Sequence, residues 1–361
     1  MDTGSRSSLI SDKMAKGEKN VGWSGFFTVF TVLCAILLLL AREGQGLTEY
    51  GSGSWQVLRV YEGLACWAVP ALFMVWGMCA LEGGKPNLKN TMTGLVLPCF
   101  CTIVFWGGVY AVAAHLLGGG SLSLRGIWNA LCAAARGNTY FHLWILYPLL
   151  GIYLVQPVIQ RFTATASRGE VCYFLGLCFL FASVLPMWEE FVPGGVVVNL
   201  LVRMRVHLVL GYVGYYVAGW YLYRYTIGRV PEFILYVLGV VGLVFTLLGY
   251  RILGGDRDLW YSYTAPGVAL TAVALCTLFR YVLGVSEERA RRRAVKEMGC
   301  YAFGVYLFHQ IWALVFRWMG FGILDFSPVI SVPFFTAVFF LLSVPFVWLL
   351  YLIPGAGKWL T

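Results

Sequence analysis

The sequence predicts an all-α integral membrane protein: a polytopic bundle of about ten transmembrane helices with both termini in the cytoplasm. Three observations carry this expectation. Of 361 residues, 60% are hydrophobic and 12% charged, and the mean hydropathy is +0.76; a soluble domain carries about 25% charged residues. The apolar residues gather in runs of roughly 18 or more, the length that crosses a hydrocarbon core as helix. The basic residues, which set a formal net charge of +9, fall mainly in alternate connections between those runs.

Residues 1–22 are polar, carry Lys13, Lys16 and Lys19, and read as a cytoplasmic tail. Ten apolar stretches follow, near residues 23–41, 60–81, 93–117, 141–159, 171–187, 206–226, 231–250, 261–283, 300–319 and 329–353, and residues 354–361 form a second cytoplasmic tail. All ten are expected as helices, because open strands would leave backbone groups unpaired in lipid. The first stretch is too long for a cleaved signal and lacks its small-residue exit. With the N-terminus inside, Lys85, Lys89, Arg161, Arg168, Arg224, Arg229 and Arg291–Arg293 lie in inner segments, as the positive-inside rule requires. Basic character here speaks for topology and against a nucleic-acid partner; the expected partners are membrane lipid and a substrate. The connection at 118–140 opens GGGSLSLRG and continues IWNALCAAA with helical periodicity, a segment that lies along the interface or dips back into the protein. The stretch SEERARRRAVKEMG, 286–299, is either a solvated connector facing anionic headgroups or a seat for a phosphorylated donor. The ten cysteines form no CxxC pair and read as small apolar fillers, so no metal is expected.

Orientation turns residue numbers into depths. Arg59 and Glu62, one helical turn apart, share a face at the outer end of the second stretch. His115, His142, Arg203, Arg205 and His207 fall at the same outer level on other helices. Polar groups on facing helices mark functional interiors in membrane bundles. Guanidinium forks bind oxygen atoms and imidazole accepts a hydroxyl proton, so this layer suits an anionic or polyhydroxyl substrate. His309 lies near the middle of the ninth stretch. Gln156 lies deep in the fourth, with no evident partner.

Three segments also resemble motifs of the membrane acyltransferase-3 family, in the family's order: VPALFMVWGMCALE (69–82), FHLWILYPLLGIYLVQP (141–157) and AFGVYLFH (302–309). The similarity covers roughly residues 23–353 and implies a ten-helix membrane domain. It also implies transfer of an acyl group, commonly acetyl from coenzyme A, to a hydroxyl or amine of an envelope sugar or polymer at the plasma (inner) membrane. On that reading the coenzyme A phosphates meet Lys85, Lys89, Arg291, Arg292 and Arg293. The acceptor, an envelope carbohydrate or lipid-linked intermediate, meets His115, Arg203, Arg205, His207 and His309. Family members usually carry an Arg in the first span and a His about eleven positions later. Here WSGFFTVFTVLCAILLLLARE has neither at that spacing. The available substitutes for the catalytic base are His142, Glu62 and Glu43, with His142 foremost. A catalytically inactive relative, serving as a flippase-like carrier or partner subunit, stands as the alternative.

Overall fold

The computed structural model describes residues 21–82, 87–118, 123–135, 140–192, 195, 207–283, 293–353 and 355–360, and all regular structure among them is helical. Helix α1 (Val21–Gly46) leads into α2 (Gly53–Ala65) and α3 (Ala68–Leu81). Ser52 caps α2 by accepting from the Trp55 amide, so the helix starts well before the apolar run expected at residue 60. Pro70 has no amide hydrogen for the Cys66 carbonyl, and the chain breaks at Cys66–Trp67 before continuing as α3. Helices α4 (Leu88–Leu117) and α7 (Arg168–Phe191) each contain a widened π turn, Met92–Val96 and Leu180–Val184, just ahead of Pro98 and Pro186. A wider turn relieves the clash between a proline ring and the carbonyl four residues earlier. A capping box of Ser167 and Glu170 starts α7.

The glycine-broken connection holds a short helix, α5 (Leu124–Ala135), packed on α4, where the sequence predicts helical periodicity. Helix α6 (Phe141–Thr165) begins with a 3-10 turn, Phe141–Ile145. The remaining elements are α8 (His207–Arg224), α9 (Arg229–Leu253), the single turn α10 (Arg257–Trp260), α11 (Pro266–Tyr281), α12 (Arg293–Trp318), α13 (Pro328–Leu352) and α14 (Ala356–Trp359). Among the described residues, seven spans are long and apolar enough to cross a membrane by length and composition: α1, α2 with α3, α4, α6, α7, α9 and α13. Helix α11 is apolar but shorter.

Helix α1 is the axis of the bundle, packing against α2, α3, α11, α12 and α13. Helices α3 and α8 meet backbone to backbone: a Cβ on Gly77 would overlap the Tyr216 carbonyl, and one on Gly219 would overlap that of Met74. Gly239, Gly242 and Gly267 bring α9 and α11 equally close. Small residues at such crossings are how membrane helices gain packing where lipid is as apolar as the side chains. The outward side of α9 shows exposed Val237, Val241, Val244 and Leu248, a surface suited to acyl chains.

Gln156 finds its partners in this packing. Fully buried, it donates to the Ala80 carbonyl (2.9 Å) near the end of α3, and its Oε1 accepts from the Tyr216 hydroxyl (2.6 Å). Gln160 donates to the same carbonyl at 3.1 Å. The amide thus joins three helices and satisfies a helix-end acceptor that lipid would leave unpaired.

Candidate functional site

Two polar constellations lie in the bundle. The first surrounds Glu62. This carboxylate is 3% exposed and accepts from Arg42 Nε (2.7 Å), Gln45 Nε2 (2.9 Å) and Arg59 Nη1 (2.8 Å). Helical spacing sets part of this: Arg59 and Glu62 sit at i, i+3 on α2, and α1 supplies Arg42 and Gln45 from the facing helix. Arg42 also donates to the Tyr263 hydroxyl and lies over the Tyr263 ring, 4.7 Å from its centroid. Arg59 continues outward, donating to Asp258 Oδ1 (2.8 Å) and to the Arg257 carbonyl (3.3 Å), with its guanidinium 3.8 Å from the Tyr261 ring centroid. These groups, Tyr263 excepted, line an open cavity of about 610 Å³ together with Tyr50, Trp55, Asp256 and Arg257. Both oxygens of Glu62 are engaged by cations or an amide, an arrangement that orients two guanidinium groups toward the cavity.

The second constellation is closed. His142 and His309 are both fully buried, their ring centroids 5.4 Å apart at 74°. The 3-10 turn that opens α6 tucks His142 beneath α12, where Nε2 donates to the Leu307 carbonyl at 3.3 Å. His309 donates through Nδ1 to the Tyr306 carbonyl at 2.6 Å. With those nitrogens as donors, Nδ1 of His142 and Nε2 of His309 are lone-pair nitrogens. Neither has a hydrogen-bond partner among the described residues, and both polar atoms of the neighbouring Gln310 are likewise unpaired. Tyr306 donates to the His142 carbonyl (2.9 Å), Tyr110 donates to that of Leu307 (2.5 Å), and Tyr140 packs its edge against the His142 ring. Buried polar atoms are almost always paired in folded proteins. Three unpaired acceptors, His142 Nδ1, His309 Nε2 and Gln310 Oε1, and one unpaired donor, Gln310 Nε2, are therefore arranged for a polar partner.

One chain of contacts links the two. Trp144, two residues after His142, stacks on Tyr263 at 5.2 Å and 8°, and Tyr263 receives Arg42 from the open cavity.

The sequence places Glu62 and His142 in one outer layer; the structure separates them into the open and closed constellations and brings His142 together with His309. Glu43 pairs with Arg317 at the end of α12, apart from both histidines' hydrogen bonds. His115 faces α5, where a Cβ on Gly126 would lie 2.7 Å from its Nε2. Lys89 is exposed in the first turn of α4. Arg203, Arg205, Lys85, Arg291 and Arg292 lie outside the described residues, as do the side chains of His207 and Arg293. Among the described residues, no group of three His, Cys, Asp or Glu is placed to hold a metal ion. Arg42, Gln45, Tyr263 and Arg257 are the residues that sequence reasoning missed as site members. Arg42 and Gln45 carry a readable signal in hindsight, two polar residues closing an apolar run at i, i+3; Tyr263 carries none.

Among the described residues, seven helices long and apolar enough to cross a membrane, with a polar cavity and a pair of histidines buried among them, give the chain the layout of an integral membrane protein. The profile of the acyltransferase-3 family, described as an acyltransferase domain, matches residues 32–352. The chain belongs to that family, and its membership supports a membrane acyltransferase in general. No curated protein and no solved structure matches the chain.

Proposed function

We propose that the protein is a ten-span membrane acyltransferase of the plasma (inner) membrane, both termini cytoplasmic, that moves an acetyl group from coenzyme A to a hydroxyl or amine of an envelope glycan. In this reading α8, α11 and α12 join the seven apolar spans. The domain runs from about residue 23 to 353, and the Arg42 cavity opens on the extracytoplasmic side. The donor's phosphates meet Lys85, Lys89 and Arg291–Arg293 at the inner face.

The observation that carries the reading is the buried His142–His309 pair, with one unpaired lone-pair nitrogen on each ring. The first span lacks the histidine usual in the family, and these two supply imidazole bases inside the same bundle. As the acceptor oxygen attacks the thioester carbonyl, imidazole takes the hydroxyl proton. The carbon–sulfur bond then breaks, and the same proton passes to the leaving thiolate. His309 holds the second lone pair beside it. Glu62, with both oxygens engaged, orients Arg42 and Arg59 at the cavity wall; Glu43 pairs with Arg317 through Oε1 alone.

A general base is worth about 10²–10⁴ in rate. Purified protein incubated with radiolabelled acetyl-coenzyme A is expected to hydrolyse it slowly and to transfer label to an envelope glycan acceptor. His142→Gln and His309→Gln should each lower both rates by at least about 10²-fold while leaving the melting temperature of the folded protein within a few degrees. Wild-type rates in both variants would remove the pair from the chemistry. No turnover by the wild-type protein, with any donor or acceptor, would leave the carrier reading standing.

A further inference from the structure

The open cavity holds three guanidinium groups, and they are not equivalent. Arg42 and Arg59 are neutralised by Glu62 and Asp258. Arg257 pairs with no carboxylate among the described residues. Its guanidinium instead lies among three aromatic rings, 4.2 Å from the centroid of Tyr250, 5.1 Å from Trp55 and 5.5 Å from Tyr50. Stacking of this kind fixes a guanidinium in place and leaves its in-plane N–H groups available to an anion. Arg59 adds a second unmet donor: its side chain is 11% exposed, yet Nε has no acceptor. The two arginines are neighbours, since Arg59 donates to the Arg257 carbonyl.

The rest of the lining narrows the ligand. Asp256 and Asp258 flank Arg257 in sequence and line the same cavity. Asp258 is 84% exposed at its side chain, and Asp256 accepts only the Asp258 amide through Oδ1. A phosphodiester without hydroxyls would gain from the guanidinium and lose to both carboxylates. A ligand with hydroxyl donors as well as one anionic group satisfies all of them. Tyr50, 73% exposed, and Trp55, with ring centroids 4.6 Å apart and planes tilted by 51°, supply aromatic faces of the kind that sugar rings pack against. The cavity of about 610 Å³ accommodates a ligand of one to two sugar units.

We propose that the Arg257 subsite binds an acidic sugar of the acceptor glycan, its carboxylate held by the Arg257 and Arg59 guanidinium groups and its ring hydroxyls donating to Asp256 and Asp258. This deepens the acyltransferase reading and rests on it, because it takes the open cavity as the acceptor's seat.

The test uses the whole protein in detergent, without acyl donor, and isothermal titration with cellobiouronic acid and with cellobiose, its carboxyl-reduced counterpart. The acidic disaccharide is expected to bind at least about tenfold more tightly, in keeping with a charge-assisted bidentate contact. Arg257→Gln should abolish that preference while binding of cellobiose stays within about twofold. Arg257→Lys, which keeps the charge and loses the fork, should retain part of it, and Asp256→Asn should weaken both ligands. Equal affinity for the two disaccharides in the wild-type protein, or an undiminished preference in Arg257→Gln, overturns the proposal. So does Arg257-dependent retention of phosphatidylglycerol by the purified protein without saccharide preference, which would assign the subsite to a lipid headgroup. The His142→Gln variant should bind cellobiouronic acid as the wild type does. Lost sugar preference with His-dependent turnover intact would therefore refute the acidic subsite alone, and intact preference without turnover would refute the acyltransferase reading.

Discussion

Replacing Glu62 by Gln is the most informative perturbation of the open cavity. The side chain keeps its size, but one charge disappears from between the two guanidinium groups that Glu62 pairs with, and the new amide hydrogens point at donors. Removing one partner of a buried ion pair costs about 3–5 kcal/mol, because the other charge is left without compensation. Arg59, at 11% side-chain exposure, feels nearly all of that loss; Arg42, at 37%, regains part of it from water. The expected cost is therefore at the low end, about 3 kcal/mol. A loss of that size lowers the melting temperature of a chain of 361 residues by about 4 °C, at about 1.3 °C for each kcal/mol. The assay is thermal unfolding in detergent, followed by tryptophan fluorescence, for Glu62→Gln, Arg59→Met and the double variant. The double variant should recover part of the loss, with a coupling of about 1–3 kcal/mol between the two positions. A shift under about 1 °C for Glu62→Gln would show that the ion cluster adds little to stability, and strictly additive effects in the double variant would show that Arg59 and Glu62 are not coupled on α2.

Two further outcomes follow from the packing. Gly219→Ala places a methyl group against the Met74 carbonyl and should destabilise the protein by about 1–3 kcal/mol, the usual cost of overpacking, read as lower melting temperature and poorer yield of folded protein. Gln156→Leu removes the donor to Ala80 and the acceptor of the Tyr216 hydroxyl, and should cost about 2 kcal/mol; adding Tyr216→Phe should cost little more, since the hydroxyl has already lost its partner. An unchanged melt for Gln156→Leu would mean that Gln160 alone satisfies the carbonyl.

Seven long apolar helices among the described residues were legible in sequence because length and hydropathy are local properties. The same holds for Arg59 and Glu62, one turn apart on a helix. What crosses between helices was not legible. Arg42 looks like an end-of-span anchor until α1 is seen against α2, and nothing near residue 142 points to residue 309. The burial of His142 was not legible for a related reason: the hydropathy run starts beside it, whereas the 3-10 turn folds it under α12 with no exposure. Gln156 stood out as a polar residue in an apolar run, but only the break of α3 near Ala80 explains what it satisfies. Of the helices expected as spans, α11 is shorter than the run suggested because Pro266 sets its start, five residues after the apolar run begins.

The glycine contacts have a mechanical consequence. Where two backbones touch with no side chain between them, neither helix can slide or rotate without collision, so α3 with α8, and α9 with α11, behave as rigid slats. The cavity wall is shared out between different bodies: Arg42 and Glu62 belong to α1 and α2, whereas Arg257 and Tyr261 belong to the α10 connection that joins α9 to α11. The Arg59 bridges to Asp258 and the Arg257 carbonyl are thus the latch across the seam, and a ligand that competes for that guanidinium also weakens the latch.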